Sequence, residues 1–143
     1  NKWRNDNLKI GFTNGCFDLI HSGHIDMFIK ASESCDRLIV GINSDKSIKR
    51  LKGNQRPLLD LEARQKLLSA LDMIDAVISF KEDTPLKLIK IIKPNILFKG
   101  ADYQIKEIIG AEYIKSIGGK VIRIKLTKNQ STSKLVSILN GNT

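Results

Sequence analysis

The stretch TNGCFDLIHSGHIDMF, residues 13–28, links an apolar segment to a helical pattern. Residues 8–13, LKIGFT, form a short apolar run typical of a strand, and apolar residues recur from Ile25 at the spacing of a helix face. Both of the chain's 2 histidines, His21 and His24, lie at the opening turn of this helix. A strand, a turn and a helix in this order start an α/β unit, and polar residues at such a turn are candidates for a functional site.

The composition is that of an ordinary globular protein. The chain has 143 residues, of which 41% are hydrophobic and 27% charged, and we expect one domain over residues 1–143. Its 2 cysteines, Cys16 and Cys35, are too few for a disulfide framework, which favours a reducing, cytoplasmic location. Cys16 is either a thiol nucleophile or a buried small apolar residue, and the second interpretation is favoured because free cysteine usually behaves that way.

The amino-terminal residues 1–7 are expected to form a linker or a flexible extension. They carry no apolar run like that of a signal peptide, and no segment of the chain approaches the roughly 20 apolar residues that span a bilayer. We therefore expect no export by that route and no membrane partner. The first residue is not Met, so a processed chain and an excised domain both remain open.

The net charge of +9 comes from 24 basic against 15 acidic residues and favours a polyanionic partner. Nucleic acid, an acidic membrane surface and phosphorylated small molecules all fit this description. A non-catalytic RNA-binding domain is one interpretation, but such domains stack bases on exposed aromatic side chains. Only 6% of this chain is aromatic, mostly within apolar strands or helices, so we expect no nucleic-acid partner and favour a phosphorylated small molecule.

Apolar strands alternate with helical patterns along the chain. Predicted strands lie at 8–13, 37–42, 75–80, 95–100 and 120–126. Predicted helices begin near Ile25, at Asp60 as N-cap, at Thr84 with Pro85 in the first turn, over 105–117 before Gly118 and Gly119, and at Ser131 or Thr132 as the last cap. The alternation predicts an α/β fold: a single Rossmann-like, doubly wound domain with a five-stranded parallel sheet and helices on both faces.

Ligands of such sheets bind outside the carboxyl ends of the strands, where the two histidines are expected. His21 and His24 are three residues apart at a helix start, so both can reach one anion. The helix N-terminus adds unpaired N–H groups, and Gly23 lets the backbone come close, so phosphate is the expected ligand. The alternative is that the histidines merely cap the helix and face solvent. No metal site made of protein side chains alone is expected, because no carboxylate or thiolate stands at a suitable spacing.

The segment DKSIKRLKGNQRP, residues 45–57, follows the second predicted strand as a basic loop. Its charged residues are Asp45, Lys46, Lys49, Arg50, Lys52 and Arg56. A charge run is usually a solvated face, but a flexible basic loop beside the ligand face would close on phosphates. Arg64, in the helix that follows, is a further candidate for the site.

Several motifs resemble those of a known family. HSGH, residues 21–24, has the H-x-G-H form of the nucleotidyltransferase superfamily, and TNGCFDLIHSGH resembles its cytidylyltransferase-like branch. The resemblance extends through KRLKGNQRP, FKEDTP, LFKGADY and STSKLV, over about residues 8–139, and is strongest to the adenylyltransferase domains of ADP-heptose synthesis. H-x-G-H alone specifies the superfamily, and the later motifs narrow it. Ala101 departs from the second glycine that relatives often carry there.

The resemblance implies a role for each matching residue. Catalytic roles fall on His21, His24 and Lys52, with Lys49 the alternative to Lys52. Nucleotide and phosphate contacts fall on Thr13, Asn14, Gly15, Phe17, Asp18, Gly23, Lys99, Gly100, Asp102, Ser131 and Thr132. Weaker contacts to substrate or phosphate fall on Asp45, Lys49, Arg56 and Arg64. The segment 99–102 has a simpler alternative, an ordinary turn at the end of a strand.

The resemblance also implies a reaction. AMP would pass from ATP to D-glycero-D-manno-heptose 1-phosphate, giving ADP-heptose and pyrophosphate for lipopolysaccharide core or a related glycan. Mg²⁺ would accompany ATP, and a homodimer and a fused or separate heptose kinase fit as partners. The nearest alternative is a CTP-dependent glycerol-3-phosphate cytidylyltransferase on the same scaffold. The segments NSDKSIKRLKG and EDTP fit the heptose enzymes better.

Overall fold

The computed structural model describes residues 2–101, 104 and 107–125. Its helices are α1 (Lys2–Asn5), α2 (Ser22–Glu33), α3 (Asp45–Lys52), α4 (Leu61–Ser69), α5 (Leu86–Ile92) and α6 (Ala111–Ser116). Its strands are β1 (Ile10–Gly15), β2 (Arg37–Asn43), β3 (Ala76–Phe80), β4 (Ile96–Gly100) and β5 (Lys120–Ile124). These strands form one sheet in the order β3-β2-β1-β4-β5, and every neighbouring pair is parallel. The predicted five-stranded, doubly wound parallel sheet is confirmed.

The sheet is built outward from β1. This strand pairs with β2 from Ile10↔Arg37 to Gly15↔Ile42, and with β4 on its other side. The chain fills one half of the sheet with β2 and β3, then returns past β1 to add β4 and β5. The strand order therefore reverses at β1, and the crevice beyond its carboxyl end is where sheets of this kind bind ligands.

Apolar clusters cover both faces of the sheet. One cluster joins α2 and α4 to the sheet through Phe28 and Leu68, and the other joins α5 and α6 through Ile89 and Ile114. All four side chains are completely buried. Removing such side chains from water on both faces stabilises a parallel sheet, and it leaves the strand ends rather than the faces for a ligand.

The amino-terminal segment differs from the expected linker or flexible extension at 1–7. Residues Lys2–Asn5 form the short helix α1, and Trp3 packs against the apolar cluster of α5 and α6. Arg4 Nη2 donates a hydrogen bond of 2.6 Å to the carbonyl of Ile92. A tryptophan has enough apolar surface to hold a short segment against the core even where the neighbouring residues are polar.

The basic segment after β2 also differs from the expected loop. It begins with the helix α3, whose N-cap Ser44 accepts a hydrogen bond from the backbone N–H of Ser47. Ile48 is completely buried and anchors the helix, which ends at Gly53 with a φ of +98°. Its positive φ at the helix end suits glycine, which has no β-carbon to strain. The basic side chains are therefore displayed on a helix rather than on a flexible loop.

Three other helix boundaries can be compared with their predictions. Asp60 is confirmed as an N-cap, since its side chain accepts from the backbone N–H of Ala63 at 2.9 Å. Thr84 is not a cap: Pro85 occupies the N-cap position of α5 and makes no side-chain cap. The helix predicted over 105–117 begins only at Ala111. The helix predicted after Ser131 or Thr132 lies outside the described residues. No helix within the described ranges is long and apolar enough to cross a bilayer.

Candidate active site

The turn after β1 brings the backbone close to the helix start. A β-carbon on Gly15 would lie 3.0 Å from the ring of Phe17, closer than a side chain tolerates without a shift. Phe17 itself has a φ of +48°, an uncommon left-handed conformation that reverses the chain between β1 and α2. Its buried ring meets the ring of His24 edge to face, with centroids 5.2 Å apart. Phe17 therefore fixes both the turn and one imidazole.

His21 and His24 cap the helix on which they lie. His21 is the N-cap of α2, and its Nδ1 accepts a hydrogen bond from the backbone N–H of Gly23 at 3.1 Å. The Nδ1 of His24 accepts from the backbone N–H of His21 at 3.4 Å. An imidazole nitrogen that accepts carries no proton, so each neutral ring has its proton on Nε2. The two rings therefore present Nε2–H donors at a helix N-terminus.

The two imidazoles stack on one another, with centroids 3.9 Å apart and planes inclined by 22°. Burial lowers the pKa of His21. Burial, assisted by the charges of His21 and Lys52, lowers the pKa of His24 to about 4. Both rings are therefore neutral near pH 7, which agrees with the accepting role of both Nδ1 atoms. Neutral rings remain hydrogen-bond donors through Nε2.

Asp18 holds the segment that leads into α4. Its completely buried carboxylate accepts from the backbone N–H groups of Leu58 and Leu59 at 2.7–2.9 Å, and from Arg56 Nε at 2.8 Å. Burial raises the pKa of Asp18, but these hydrogen bonds and the Arg56 charge outweigh it and leave the pKa below its ordinary value. The Asp18 carboxylate therefore holds residues 56–59 by hydrogen bonds within the protein and does not face a ligand.

Arg64 is completely buried and ties the ends of two strands together. Its Nη1 donates to the carbonyls of Cys16 at 3.0 Å and Asn43 at 2.7 Å, just beyond β1 and at the end of β2. Its Nε donates to the carbonyl of Leu59, and its Nη2 forms a 2.6 Å ion pair with Asp45 at the first turn of α3. Arg64 and Asp45 thus make contacts with the scaffold, and of the two only Asp45 keeps an exposed part of its side chain, 37%, for its predicted contact with a substrate.

A cleft of about 390 Å³ opens at the carboxyl ends of the strands, and neither His21 nor His24 lines it. Its polar lining comes from Asn14, Cys16, Asn43, Lys52, Asp83, Thr84, Lys99 and Glu107. Lys99 Nζ lies 3.5 Å from the carbonyl of Asn14. Lys52 belongs to this lining and also acts on His24 through its charge, so it links the cleft to the histidines. A larger hollow of about 880 Å³ along α5 and α6 contains none of the predicted site residues.

The site combines a helix N-terminus that carries two imidazole donors with a lysine-lined cleft, and Lys52 of that cleft acts on His24 through its charge. Residues 12–138 match the family described as Cytidylyltransferase-like. The chain belongs to this family. It is a nucleotidyltransferase, as the H-x-G-H motif predicted, and the match covers every residue of the site described above.

Relatives of this cytidylyltransferase-like chain include proteins named "Bifunctional protein HldE". The one from Paramagnetospirillum magneticum is 48% identical over 141 residues, which are 99% of this chain and 29% of the relative. The one from Nitrobacter winogradskyi is 50% identical over 139 residues, which are 97% of this chain and 28% of the relative. The chain therefore spans less than a third of the length of these relatives.

A solved structure shares the fold. It is that of a lipopolysaccharide core biosynthesis protein from Thermoplasma volcanium GSS1, which superimposes with a TM-score of 0.70 at 28% sequence identity. The match covers 85% of this chain and 99% of that one. The cytidylyltransferase-like domain thus has the Rossmann-like architecture that its strand order gives.

The predicted site residues fall into three groups in this cytidylyltransferase-like domain. At the helix start lie Phe17, His21, Gly23 and His24, and along the cleft lie Asn14, Gly15, Lys52 and Lys99. In the scaffold lie Thr13, Asp18, Asp45, Arg56, Arg64 and the buried strand end Gly100. Lys49 is exposed on α3 and does not line the cleft, so the geometry favours Lys52 of the two. Asp102, Ser131 and Thr132 lie outside the described residues.

Some cleft residues were not predicted from the sequence. These are Asn43, Asp83 and Glu107, which have no spacing pattern in the sequence that marks them as site residues. Cys16 is half-buried rather than fully buried, and its Sγ lies 3.7 Å from Asn43 Oδ1. Only the strand order, which places the carboxyl ends of β3, β2, β1 and β4 side by side, brings these residues together.

Proposed function

We propose that this chain transfers AMP from ATP to D-glycero-D-manno-heptose 1-phosphate, with release of ADP-heptose and pyrophosphate. The observation that carries the proposal is the pair of Nε2–H donors that the reciprocal capping of α2 leaves for a ligand. The choice of sugar and nucleotide is supported by the motifs KRLKG, EDTP and KGADY and by the relatives named HldE. The structural neighbour is named a lipopolysaccharide core biosynthesis protein, which supports a role in that biosynthesis.

The reaction is a direct displacement at phosphorus. An oxygen of the sugar 1-phosphate attacks the α-phosphorus of ATP, the bond to the β-phosphate bridging oxygen breaks, and pyrophosphate leaves with that electron pair. The attacking oxygen is already anionic near neutral pH, so no general base is required. Catalysis then comes from positioning and from stabilising negative charge on the phosphate oxygens.

The residues of the site supply that stabilisation. The Nε2–H groups of His21 and His24 donate to oxygens of the α-phosphate and of the departing pyrophosphate, where charge builds up. The N-terminus of α2 adds its partial positive charge, and Lys52 adds a full one. Arg56 keeps a buried Nη2 that has no hydrogen-bond partner among the described residues, which leaves donor capacity for a ligand oxygen.

Mg²⁺ fits this site as a companion of the nucleotide rather than as a resident metal. Within the described ranges no three histidine, cysteine or acidic side chains come together as a ligand set, and the Asp18 carboxylate is engaged by Arg56, Leu58 and Leu59. Mg²⁺ characteristically binds substrate phosphates with few protein ligands. When bound, it would neutralise charge on the triphosphate.

The remaining length of the relatives supports a proposal about partners. Those relatives are called bifunctional, and this chain spans 29% of the first. We therefore propose that a heptose kinase, either fused to this chain or separate, acts together with it. A kinase that makes the sugar 1-phosphate would supply the acceptor of this reaction. A homodimer is compatible with the chain and stays a prediction.

The test is pyrophosphate release from each of ATP, CTP, GTP and UTP, measured with a panel of sugar phosphates and with glycerol 3-phosphate. We expect the highest kcat/KM with ATP and D-glycero-D-manno-heptose 1-phosphate. A preference for CTP and glycerol 3-phosphate would instead identify a glycerol-3-phosphate cytidylyltransferase. Salt-dependent RNA binding without pyrophosphate release from any nucleotide would overturn the enzymatic assignment altogether.

A further inference from the structure

The cleft at the carboxyl ends of the strands combines cations with carboxylates. Lys52 and Lys99 line it together with Asp83 and Glu107, within a volume of about 390 Å³. That volume lies in the range of small-molecule sites. Asp83 belongs to the segment that follows β3, and Lys52 is the last residue of α3. The Lys52 ammonium and the Asp83 carboxylate therefore come from different elements that meet at this cleft.

A triphosphate alone does not account for this lining. Two like charges 4 Å apart repel by about 4 kcal/mol at the effective dielectric near a protein surface, so carboxylates in a polyphosphate site oppose binding. A sugar phosphate has both chemistries. Its phosphate suits lysine, and its hydroxyls donate charge-assisted hydrogen bonds to carboxylate oxygens. The mixed lining fits a polyhydroxylated phosphate ester better than it fits the nucleotide's phosphates.

Asp83 is held in place by α3. Arg50 Nε donates to Asp83 Oδ1 at 2.8 Å, and Arg50 Nη2 donates to the carbonyl of Lys81 at 2.6 Å. The two side chains of the ion pair are 50% and 57% exposed, and a pair this exposed adds at most about 1 kcal/mol to folding. One bound N–H leaves a carboxylate with further acceptor sites. The contacts therefore orient the carboxylate without using up its capacity to accept.

We propose that Asp83 determines which acceptor sugar is used, by accepting hydrogen bonds from hydroxyls of the sugar phosphate bound in this cleft. Arg50 acts as a positioning residue for the Asp83 carboxylate. Because α3 carries both Lys52 and Arg50, the partner of Asp83, one helix helps to place a lysine and the carboxylate in this cleft. The inference rests on the proposed function, since it assigns the acceptor of that reaction to this cleft.

The experiment compares wild type with Asp83→Asn, Arg50→Gln and the control Asp72→Asn, an exposed carboxylate before the amino end of β3. Substrates are ATP, heptose 1-phosphate and analogues of it that each lack one hydroxyl. In Asp83→Asn we expect the KM for heptose 1-phosphate to rise at least about tenfold, the loss of one charge-assisted hydrogen bond, with the KM for ATP within about twofold of wild type. Arg50→Gln should raise the same KM by less, and Asp72→Asn should change neither.

The analogues identify the contact. Wild type should lose about tenfold in kcat/KM on one analogue, and Asp83→Asn should show no further loss on that analogue. If Asp83→Asn keeps the wild-type KM and the wild-type preference among analogues, Asp83 has no part in acceptor choice and this inference is overturned while the proposed function stands. If wild type turns over no sugar phosphate with any nucleotide, the proposed function fails and takes the inference with it.

Discussion

The side chains of His21 and His24 cap the same helix turn, and their rings stack with centroids 3.9 Å apart. The sequence offered two interpretations of this pair: a helix cap or a phosphate-binding device. The structure shows the cap and is compatible with the second interpretation, because capping uses Nδ1 of each ring and leaves Nε2 with its proton. Capping thus fixes the tautomer that a phosphate-binding histidine needs.

Removing either imidazole is expected to abolish most of the activity without unfolding the protein. In His21→Ala or His24→Ala, kcat should fall at least about a hundredfold, as for the loss of one preorganised donor. Loss of the N-cap in His21→Ala should lower the free energy of unfolding by about 1 kcal/mol. Steady-state pyrophosphate release and urea unfolding measure the two effects separately.

The matched control is His21→Asn. Asparagine is a strong N-cap but lacks an Nε2–H donor at the position of the imidazole, so it should restore the stability and leave the turnover low. Wild-type turnover in His21→Asn would show that the helix cap alone matters and that His21 gives no hydrogen bond to the reacting phosphates.

The pKa of His24 should be observable directly. Since burial lowers it from 6.5 to about 4, the folded protein binds fewer protons than the unfolded chain between these values. The part of the folding stability that depends on neutral His24 is then fully present above pH 6.5 and is lost as the pH falls towards 4. NMR titration of the His24 ring should give a midpoint near 4 without nucleotide and a higher one with ATP, because phosphate charge favours the protonated ring. A midpoint near 6.5 in the nucleotide-free protein would contradict the buried, capped geometry.

Arg64 should matter for stability more than for chemistry. Replacing it with methionine removes four hydrogen bonds and leaves Asp45 without its ion pair, so the free energy of unfolding should fall by about 3–5 kcal/mol. Arg64→Lys should recover only part of this, because an ammonium cannot reproduce the fork of the guanidinium. Lys66→Met, on the exposed side of α4, is the control and should change the stability by less than about 0.5 kcal/mol. An Arg64→Met variant as stable as wild type would show that these contacts contribute nothing.

Asp18→Asn tests the second scaffold contact. An amide in place of the carboxylate turns an N–H₂ group towards donors, so we expect a loss of about 1–3 kcal/mol in unfolding free energy. Because the pKa of Asp18 is lowered on folding, its contribution is present above pH 3.8 and is lost as the pH falls through the folded-state pKa. Urea unfolding followed from neutral pH into the acid range should therefore show a smaller acid-induced loss in Asp18→Asn than in wild type. An equal acid-induced loss of stability in both proteins would show that Asp18 does not cause it.

Much of the fold could be predicted from the sequence because the strands are short buried runs separated by helical patterns. The run RLIVGI, residues 37–42, lies within β2, whose residues after Arg37 are all buried. The helix α3 was missed, because Ile48 alone is its buried apolar anchor among basic residues that look like a solvated loop. Its cap signals, Ser44 and Gly53, were nevertheless in the sequence.

The site was predictable in part. His21, His24 and Gly23 follow from the motif and the helix start, since these residues are close in sequence. The burial of Arg64 does not follow, because its acceptors come from Cys16, Asn43 and Leu59, and arginine is rarely fully buried. Long-range contacts of this kind have no local signal, so a basic residue near a site is easily assigned to the ligand instead of the scaffold.

The decisive experiment on phosphate binding by the histidine pair is a crystal structure of the protein with a non-hydrolysable ATP analogue and Mg²⁺. We predict that Nε2 of both His21 and His24 lies within about 3.2 Å of phosphate oxygens, with both Nδ1 atoms still on the backbone of α2. An analogue bound elsewhere, or imidazoles that turn away from its phosphates, would contradict this assignment.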